Sequence, residues 1–330
     1  MLPRSVLTIA PLRISLVGGG TDFYSYYSKS SGAVIASAID KYVYVHIKKH
    51  DPLFQEKYRI SYSEVEHCQS RSEIKNDIVR ASLELLDIDI PLQISTSADL
   101  PANSGLGSSS SFAVALILGL HELKGERVGA AQLAEEACKV EIDILGSPIG
   151  KQDQYASAFG GFNLIEFASD ETVRIEPIST KHRIVRDLFS STSLIWTEQS
   201  RRANTVLQDQ ENRFTENRMI LDELMTLVYL LRDEIRCKTP SLVRIGFLIS
   251  EGWEIKKRLS PLILTDEISE MFYHVNQLDL HGGKLLGAGA GGFILSIHKN
   301  LNQDLSMISS KWAAFQPNID YQGARILSTS

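Results

Sequence analysis

The sequence predicts an α+β chain folded as two lobes, and three observations carry that prediction. Helical and strand-like segments come in runs, without regular strand–helix alternation. The character of the chain changes near Lys181, after which it becomes charged and strongly helical. With 330 residues, 43% of them apolar, it can bury one large core or two smaller ones. The boundary is expected between Ile165 and Lys181, giving lobes of residues 1–175 and 176–330.

Taken in order, Ser5 to Val17 reads as a strand that runs into Gly18, Gly19 and Gly20. Tyr42 to Lys48 alternates β-branched or aromatic residues with others, the two-residue period of a strand. Asn76 to Leu86 has helical spacing, and Pro91 to Ser97 returns to strand character. Phe112 to Leu123 is a continuous apolar helix, expected to be buried. Ala130 to Leu145 is amphipathic and stopped by Gly146 and Pro148. Arg201 to Arg236 and Arg244 to Leu259 read as helices. Lys284 to His298 is glycine-rich and then strand-like, with Phe293, Leu295 and Ile297 alternating. Leu305 to Phe315 is expected to be a helix and Gly323 to Leu327 a final strand.

Bulk properties exclude several function classes. A net charge of −6 gives no field for gathering nucleic acid or anionic lipid, so neither is expected as a partner. The three cysteines, Cys68, Cys138 and Cys237, lack any C-x-x-C spacing and read as scattered reduced thiols. No zinc motif occurs among the eight histidines. Arg13 interrupts the N-terminal apolar stretch, which is therefore no signal peptide. The longest apolar run, Phe112 to Leu120, is far short of the ~20 residues a membrane span needs. A soluble, cytoplasmic protein is expected.

Four segments carry chemistry. The strongest, Pro101 to Ser111, is rich in glycine and serine and feeds an apolar helix. The first turn of a helix has unpaired N–H groups and partial positive charge, so such a place binds phosphate. It is not a Walker P-loop, whose lysine is missing. The second, Leu286 to Phe293, fits G-x-G-x-x-G through Gly287, Gly289 and Gly292, but it leads into a strand instead of a helix, which argues against a dinucleotide site. It reads either as a tight backbone approach closing a site or as a plain turn. The third, Arg13 to Asp22, ends a strand in three glycines and a Thr–Asp pair; Asp22 can accept from sugar hydroxyls or cap a turn. The fourth, Gly150 to Gln154, puts Asp153 in a helix first turn, where the ionised form is favoured. An ionised aspartate can take or orient a hydroxyl proton.

Together these segments resemble the GHMP kinases, the superfamily of galactokinase, homoserine kinase, mevalonate kinase and phosphomevalonate kinase. The resemblance spans nearly the whole chain through Ala10 to Asp22, Pro101 to Ser111 and Gly287 to Phe293. It implies a ribosomal protein S5 domain 2-like N-terminal lobe and a ferredoxin-like C-terminal lobe, with ATP between them. Within the superfamily, Arg13 to Asp22 and Gly32 to Val45 look like the bacterial D-glycero-D-manno-heptose 7-phosphate kinases, which phosphorylate the anomeric hydroxyl and feed nucleotide-heptose synthesis for capsule or lipopolysaccharide. The L-fucose kinases carry a related start and are the competitor; a catalytically silent sugar sensor on this fold is a second alternative.

The resemblance also implies roles. Asp153 and Arg13 would be catalytic. Pro101, Asn103, Gly105, Leu106, Gly107, Ser108, Ser109 and Ser110 would hold ATP, and Ser109 with Glu141 would hold Mg²⁺. Gly19, Gly20, Thr21, Asp22, Lys151, Gly289 and Gly291 would meet a small-molecule sugar phosphate. A phosphorylated acceptor needs a second anion site, for which Lys41, Lys151, Arg80, Arg201 and Arg202 are candidates. Galactokinase's Gly-Glu-His-Thr-Asp is Gly18-Gly19-Gly20-Thr21-Asp22 here, which argues against galactose. A homodimer is left open.

Overall fold

Strand β1 (Ser5–Val17) is buried over almost its whole length, flanked on both edges by other strands and packed against helices. The structure is a computed structural model that describes residues 2–51, 53–178, 183–199, 203–300, 308 and 311–330. A short helix α1 (Tyr24–Tyr27) follows the glycine turn, and β2 (Gly32–Lys49) pairs antiparallel with β1. β2 begins at Gly32, well before the alternating stretch at Tyr42. Its first half is buried on both faces, so apolar residues run on without a two-residue period.

β3 (Tyr58–Ser61) and β4 (Val65–Cys68) form a hairpin at one end of the sheet. Asn76 caps α2 (Asp77–Leu85) by accepting from the Val79 N–H at 3.1 Å. β5 (Leu92–Ala98) lies between β2 and β3. Helix α3 (Ser108–Lys124) is apolar all round and buried from Ala113 to His121, as such a composition demands. Each fully buried leucine or isoleucine there contributes about 1.5–3 kcal/mol. Thr8 donates to the Ala115 carbonyl and Ser111 to the Pro11 carbonyl, both at 2.8 Å, which pins α3 to β1.

α4 (Ala130–Cys138) continues into a π-helical stretch, Lys139–Ile144, where one unbroken α-helix was expected. Then come α5 (Gln152–Phe159), β6 (Phe162–Phe167) and β7 (Val173–Pro177), with β6 pairing with the first half of β2. The boundary expected at residue 175 falls inside β7.

Beyond it lie α6 (Arg183–Ser190), β8 (Thr192–Trp196), α7 (Ala203–Asn212) and α8 (Phe214–Arg236). The helix expected over Arg201 to Arg236 is thus broken at Arg213. α9 (Leu242–Lys256) and α10 (Asp266–Val275) precede β9 (Leu280–Leu285) and β10 (Phe293–His298). Most of the helix expected over Leu305 to Phe315 lies outside the described residues; Ala314–Phe315 form a short strand, β11. The final strand is β12 (Arg325–Thr329).

Among the described residues two sheets result. One has eight strands, ordered β12-β1-β2-β5-β3-β4, with β6 on β2 and β7 on β6; the other has four, ordered β11-β8-β10-β9. The last strand of the chain returns to pair with β1, so the second half contributes to the first sheet.

Candidate active site

β1 carries Arg13 into the centre of the site. Its backbone N–H donates to the Leu106 carbonyl at 3.0 Å, which ties β1 to the turn preceding α3. Its guanidinium forms a two-pronged pair with Asp153, Nε to Oδ1 and Nη2 to Oδ2, each at 2.6 Å. Nη1 donates to the Gly105 carbonyl at 2.7 Å. Such a fork is geometrically specific as well as strong. The Arg13 side chain is 6% exposed and that of Asp153 21%, so the carboxylate keeps a face open to the cavity. Asp153 stands in the first turn of α5, where the helix dipole favours negative charge.

Of the segment Pro101 to Ser111, residues up to Gly107 form a loop and Ser108 to Ser111 are already the first turn of α3. Gly107 precedes the helix in the left-handed region (φ 76), and no side chain caps the first turn. The amides of Ser108 to Ser110 therefore remain available as donors. A Cβ on Gly107 would stand 3.1 Å from Asp153 Oδ2 and 3.3 Å from Arg13 Cγ. This anion-seeking turn thus lies in contact with the Arg13–Asp153 pair. Ser111 is absorbed by its bond to Pro11.

The late glycine string meets the early one backbone to backbone. A Cβ on Gly287 would fall 2.5 Å from Gly105 Cα, and one on Gly105 would fall 2.8 Å from the Leu286 carbonyl oxygen. No side chain fits at either place. The string therefore serves close approach between the two segments.

Glu141, in the π-helical stretch, is buried and accepts from Ser109 Oγ at 2.6 Å and Gln154 Nε2 at 2.7 Å. Burial pushes its carboxyl above the usual carboxylate range, against the opposing pull of Ser109, Ser110 and Gln154. Asp22 is also buried, and burial raises it too, while its bond from the Gly20 N–H at 2.8 Å pulls the other way.

These groups line one cavity of about 260 Å³. Of the residues singled out from sequence, it gathers Arg13, Gly19, Gly20, Asp22, Asn103, Gly105, Gly107, Ser108, Ser109, Ser110, Glu141 and Asp153. Others lie elsewhere. Thr21 is buried and donates to the Gly18 and Ala33 carbonyls, holding the turn. Leu106 is core, and Pro101 is exposed outside the cavity lining. Gly289 packs on Ile263 and Gly291 on Gln199, neither facing the cavity. Lys151 pairs with Glu171 at 2.8 Å, Lys41 lies over the Phe315 ring, and Arg80 bonds the Ile74 carbonyl. Arg201 and Arg202 lie outside the described residues.

Two cavity lysines went unread in the sequence, Lys256 at the end of α9 and Lys284 in β9. Lys256 Nζ donates to the Gly287 carbonyl at 2.5 Å; Lys284 Nζ donates to those of Ser15 and Leu16 at 2.9 and 3.0 Å. Burial pulls Lys256 down to about 8, and burial with repulsion from Lys256 and Arg13 pulls Lys284 well below the ordinary lysine range. The sequence signal was slight: a lysine in an otherwise apolar strand end, and the first of three basic residues closing a helix.

The chain is 30% identical over 305 residues to D-glycero-alpha-D-manno-heptose 7-phosphate kinase from Campylobacter jejuni, covering 88% of each chain. A profile of the GHMP kinases N terminal domain matches residues 75–161. The chain belongs to the GHMP kinases. It is an ATP-dependent kinase of that family, and the matched stretch contains α3, Glu141 and Asp153. Its fold is that of the family's solved members. A D-glycero-D-manno-heptose 1-phosphate kinase from Bacteroides thetaiotaomicron superposes with a TM-score of 0.73 at 24% identity, over 98% of this chain and 99% of that one. A galactokinase from Lactococcus lactis, complexed with galactose, gives 0.74 at 15% identity over 97% and 95%. Among the described residues of this GHMP kinase, no helix is long and apolar enough to cross a membrane.

Proposed function

We propose that this protein transfers the γ-phosphoryl group of ATP to the anomeric hydroxyl of D-glycero-D-manno-heptose 7-phosphate, for nucleotide-heptose synthesis toward capsule or lipopolysaccharide. The observation that carries the chemistry is the Arg13–Asp153 pair lying against the uncapped start of α3. The Campylobacter relative supports the choice of acceptor.

In this reading the β- and γ-phosphates rest on the amides of Ser108 to Ser110. The open face of Asp153 orients the anomeric hydroxyl. As the hydroxyl oxygen bonds to the γ-phosphorus, the bond from that phosphorus to the β-bridging oxygen breaks. The proton passes to Asp153 and ADP leaves. Arg13 fixes the carboxylate and sets positive charge beside the transferring group. Asp22 accepts from a sugar hydroxyl.

Ser109 and Glu141 suit Mg²⁺: a hydroxyl and a carboxylate are hard oxygen donors, and a cation would favour the ionised form of a carboxyl that burial holds high. When bound, Mg²⁺ offsets charge on the β- and γ-phosphates. The two sheets are read as parts of two lobes, near residues 1–175 and 176–330, with β12 joined to the first.

The test is a panel of heptose 7-phosphate, L-fucose and galactose with ATP and Mg²⁺, read by ³¹P NMR. The expected result is a new anomeric phosphate on the heptose with little turnover of the other two. Preferred phosphorylation of fucose would replace this acceptor; no ATP consumption with any sugar would favour a silent sensor.

A further inference from the structure

Gly19 differs from the glycines on either side of it. Gly18 has φ +94, and a Cβ there would fall 2.2 Å from the Ala33 carbonyl oxygen; Gly20 has φ +106. Both are required by the backbone. Gly19 has no such φ, and its Cβ would meet nothing closer than 3.5 Å. Neither backbone conformation nor packing requires a glycine there.

Three polar groups converge on the space beside Gly19. Measured from the position a Gly19 Cβ would take, Gln152 Nε2 lies at 3.5 Å, Ser15 Oγ at 3.7 Å and Lys256 Nζ at 3.8 Å. All three residues line the cavity. Ser15 is 7% exposed and its hydroxyl has no partner, an expensive arrangement for a buried polar group. Gln152 Oε1 is likewise without one.

Asp22 and Asp153 lie near enough to act on Lys256, but neither is in ion-pair contact with it. Arg13 is matched by Asp153, but among the described residues neither Lys256 nor Lys284 pairs with a carboxylate; each donates only to backbone carbonyls. Lys284 is 5% exposed, and Lys256 is half-buried. Buried cations held this way favour an incoming anion. Burial lowers both lysines, with Asp22 and Asp153 opposing the shift at Lys256.

Position along β1 decides which anion. Arg13 and Ser15 are two residues apart on the strand and share a face, so they stand ~6.6 Å apart along it. The triphosphate turn touches Arg13 and Asp153 through Gly107. The open space is one strand step farther on, a span that a seven-carbon sugar phosphate can cover from its anomeric oxygen to its distal ester.

We propose that Lys256, Lys284, Ser15 and Gln152 form a subsite beside Gly19 for the phosphate monoester that the acceptor retains. This rests on the sugar-phosphate reading above. It replaces the earlier candidates Lys41, Lys151 and Arg80, whose partners hold them elsewhere.

The test compares heptose 7-phosphate with unphosphorylated heptose in the parent, Lys256→Met and Gly19→Asp proteins. The parent prefers the phosphorylated acceptor. Each variant should cut that preference in kcat/KM by ~10–100-fold, the worth of a hydrogen bond to a charged group, through KM for the sugar phosphate and not KM for ATP. Equal loss on both acceptors, or a raised KM for ATP alone, overturns the subsite while leaving the kinase reading intact. A second measurement needs no sugar turnover. With the triphosphate site filled by a non-hydrolysable ATP analogue, inorganic phosphate should bind the parent and bind neither variant by calorimetry. Unchanged phosphate binding in the variants overturns the subsite. Absence of sugar phosphorylation by the parent, with phosphate binding still lost in the variants, overturns the proposed function and keeps the anion site.

Discussion

Arg13 grips both carboxylate oxygens of Asp153 at 2.6 Å across 140 residues of chain. One partner comes from the first strand, the other from the start of α5, and the turn before α3 touches both. The pair therefore links three segments as well as placing a carboxylate at the cavity wall.

Replacing Asp153 by Asn keeps the shape but removes the charge and the proton acceptor. Turnover should fall by ~10²–10⁴-fold, the usual worth of a positioned acid or base, while ATP still binds. Steady-state rates and nucleotide titration check this. Near-normal turnover would remove Asp153 from the chemistry.

Glu141→Gln should separate stability from function. Because burial raises the Glu141 carboxyl, folding favours its protonated form; the contribution is present at low pH and lost as pH rises through the folded value. At neutral pH the amide avoids that loss, so the nucleotide-free variant should unfold at or above the parent's Tm. Its half-saturating Mg²⁺ should nonetheless rise by at least about tenfold. Thermal melts with and without Mg²⁺·ATP, alongside Mg²⁺-dependent rates, test both signs.

Gly287→Ala should damage the site from a distance. Its Cβ would overlap Gly105 Cα, and a φ of +73 adds strain. A loss of about 1–3 kcal/mol is expected. A lower Tm and weaker ATP binding, with sugar-phosphate binding to the ATP-free protein less affected, are the outcomes to measure.

Acceptor affinity should depend on pH. Lys256 lies near 8 in the free protein, pulled down by burial, with Asp22 and Asp153 opposing that shift and Arg13 adding to it; Lys284 also lies nearby. The charged form prevails below that value and is lost as pH rises through it. KM for the sugar phosphate should therefore climb above about pH 8, and Lys256→Arg, charged throughout, should flatten the climb. A KM profile across this range decides.

Much of this was legible in the sequence where local chemistry dictates structure. The apolar run of α3, the helical spacing from Asn76 to Leu86 and the alternating half of β2 announce themselves by composition or period. The first half of β2 did not, because burial on both faces erases alternation. The π-helical stretch that carries Glu141 escaped because the sequence pattern over Ala130 to Leu145 fits an ordinary helix. In the site, Arg13, Asp22, Ser109 and Asp153 stood in compact motifs. Lys256 and Lys284 stood in none. A lysine on a helix end reads as solvated, and only tertiary packing of α9 and β9 against the glycine turn turns these two inward.

The most direct measurement is a crystal structure with a non-hydrolysable ATP analogue, Mg²⁺ and heptose 7-phosphate. The account predicts β- and γ-phosphates on the amides after Gly107, the anomeric hydroxyl within hydrogen-bond reach of Asp153, and the distal phosphate beside Gly19. A sugar whose anomeric hydroxyl points away from Asp153, or a triphosphate seated off the start of α3, would contradict it.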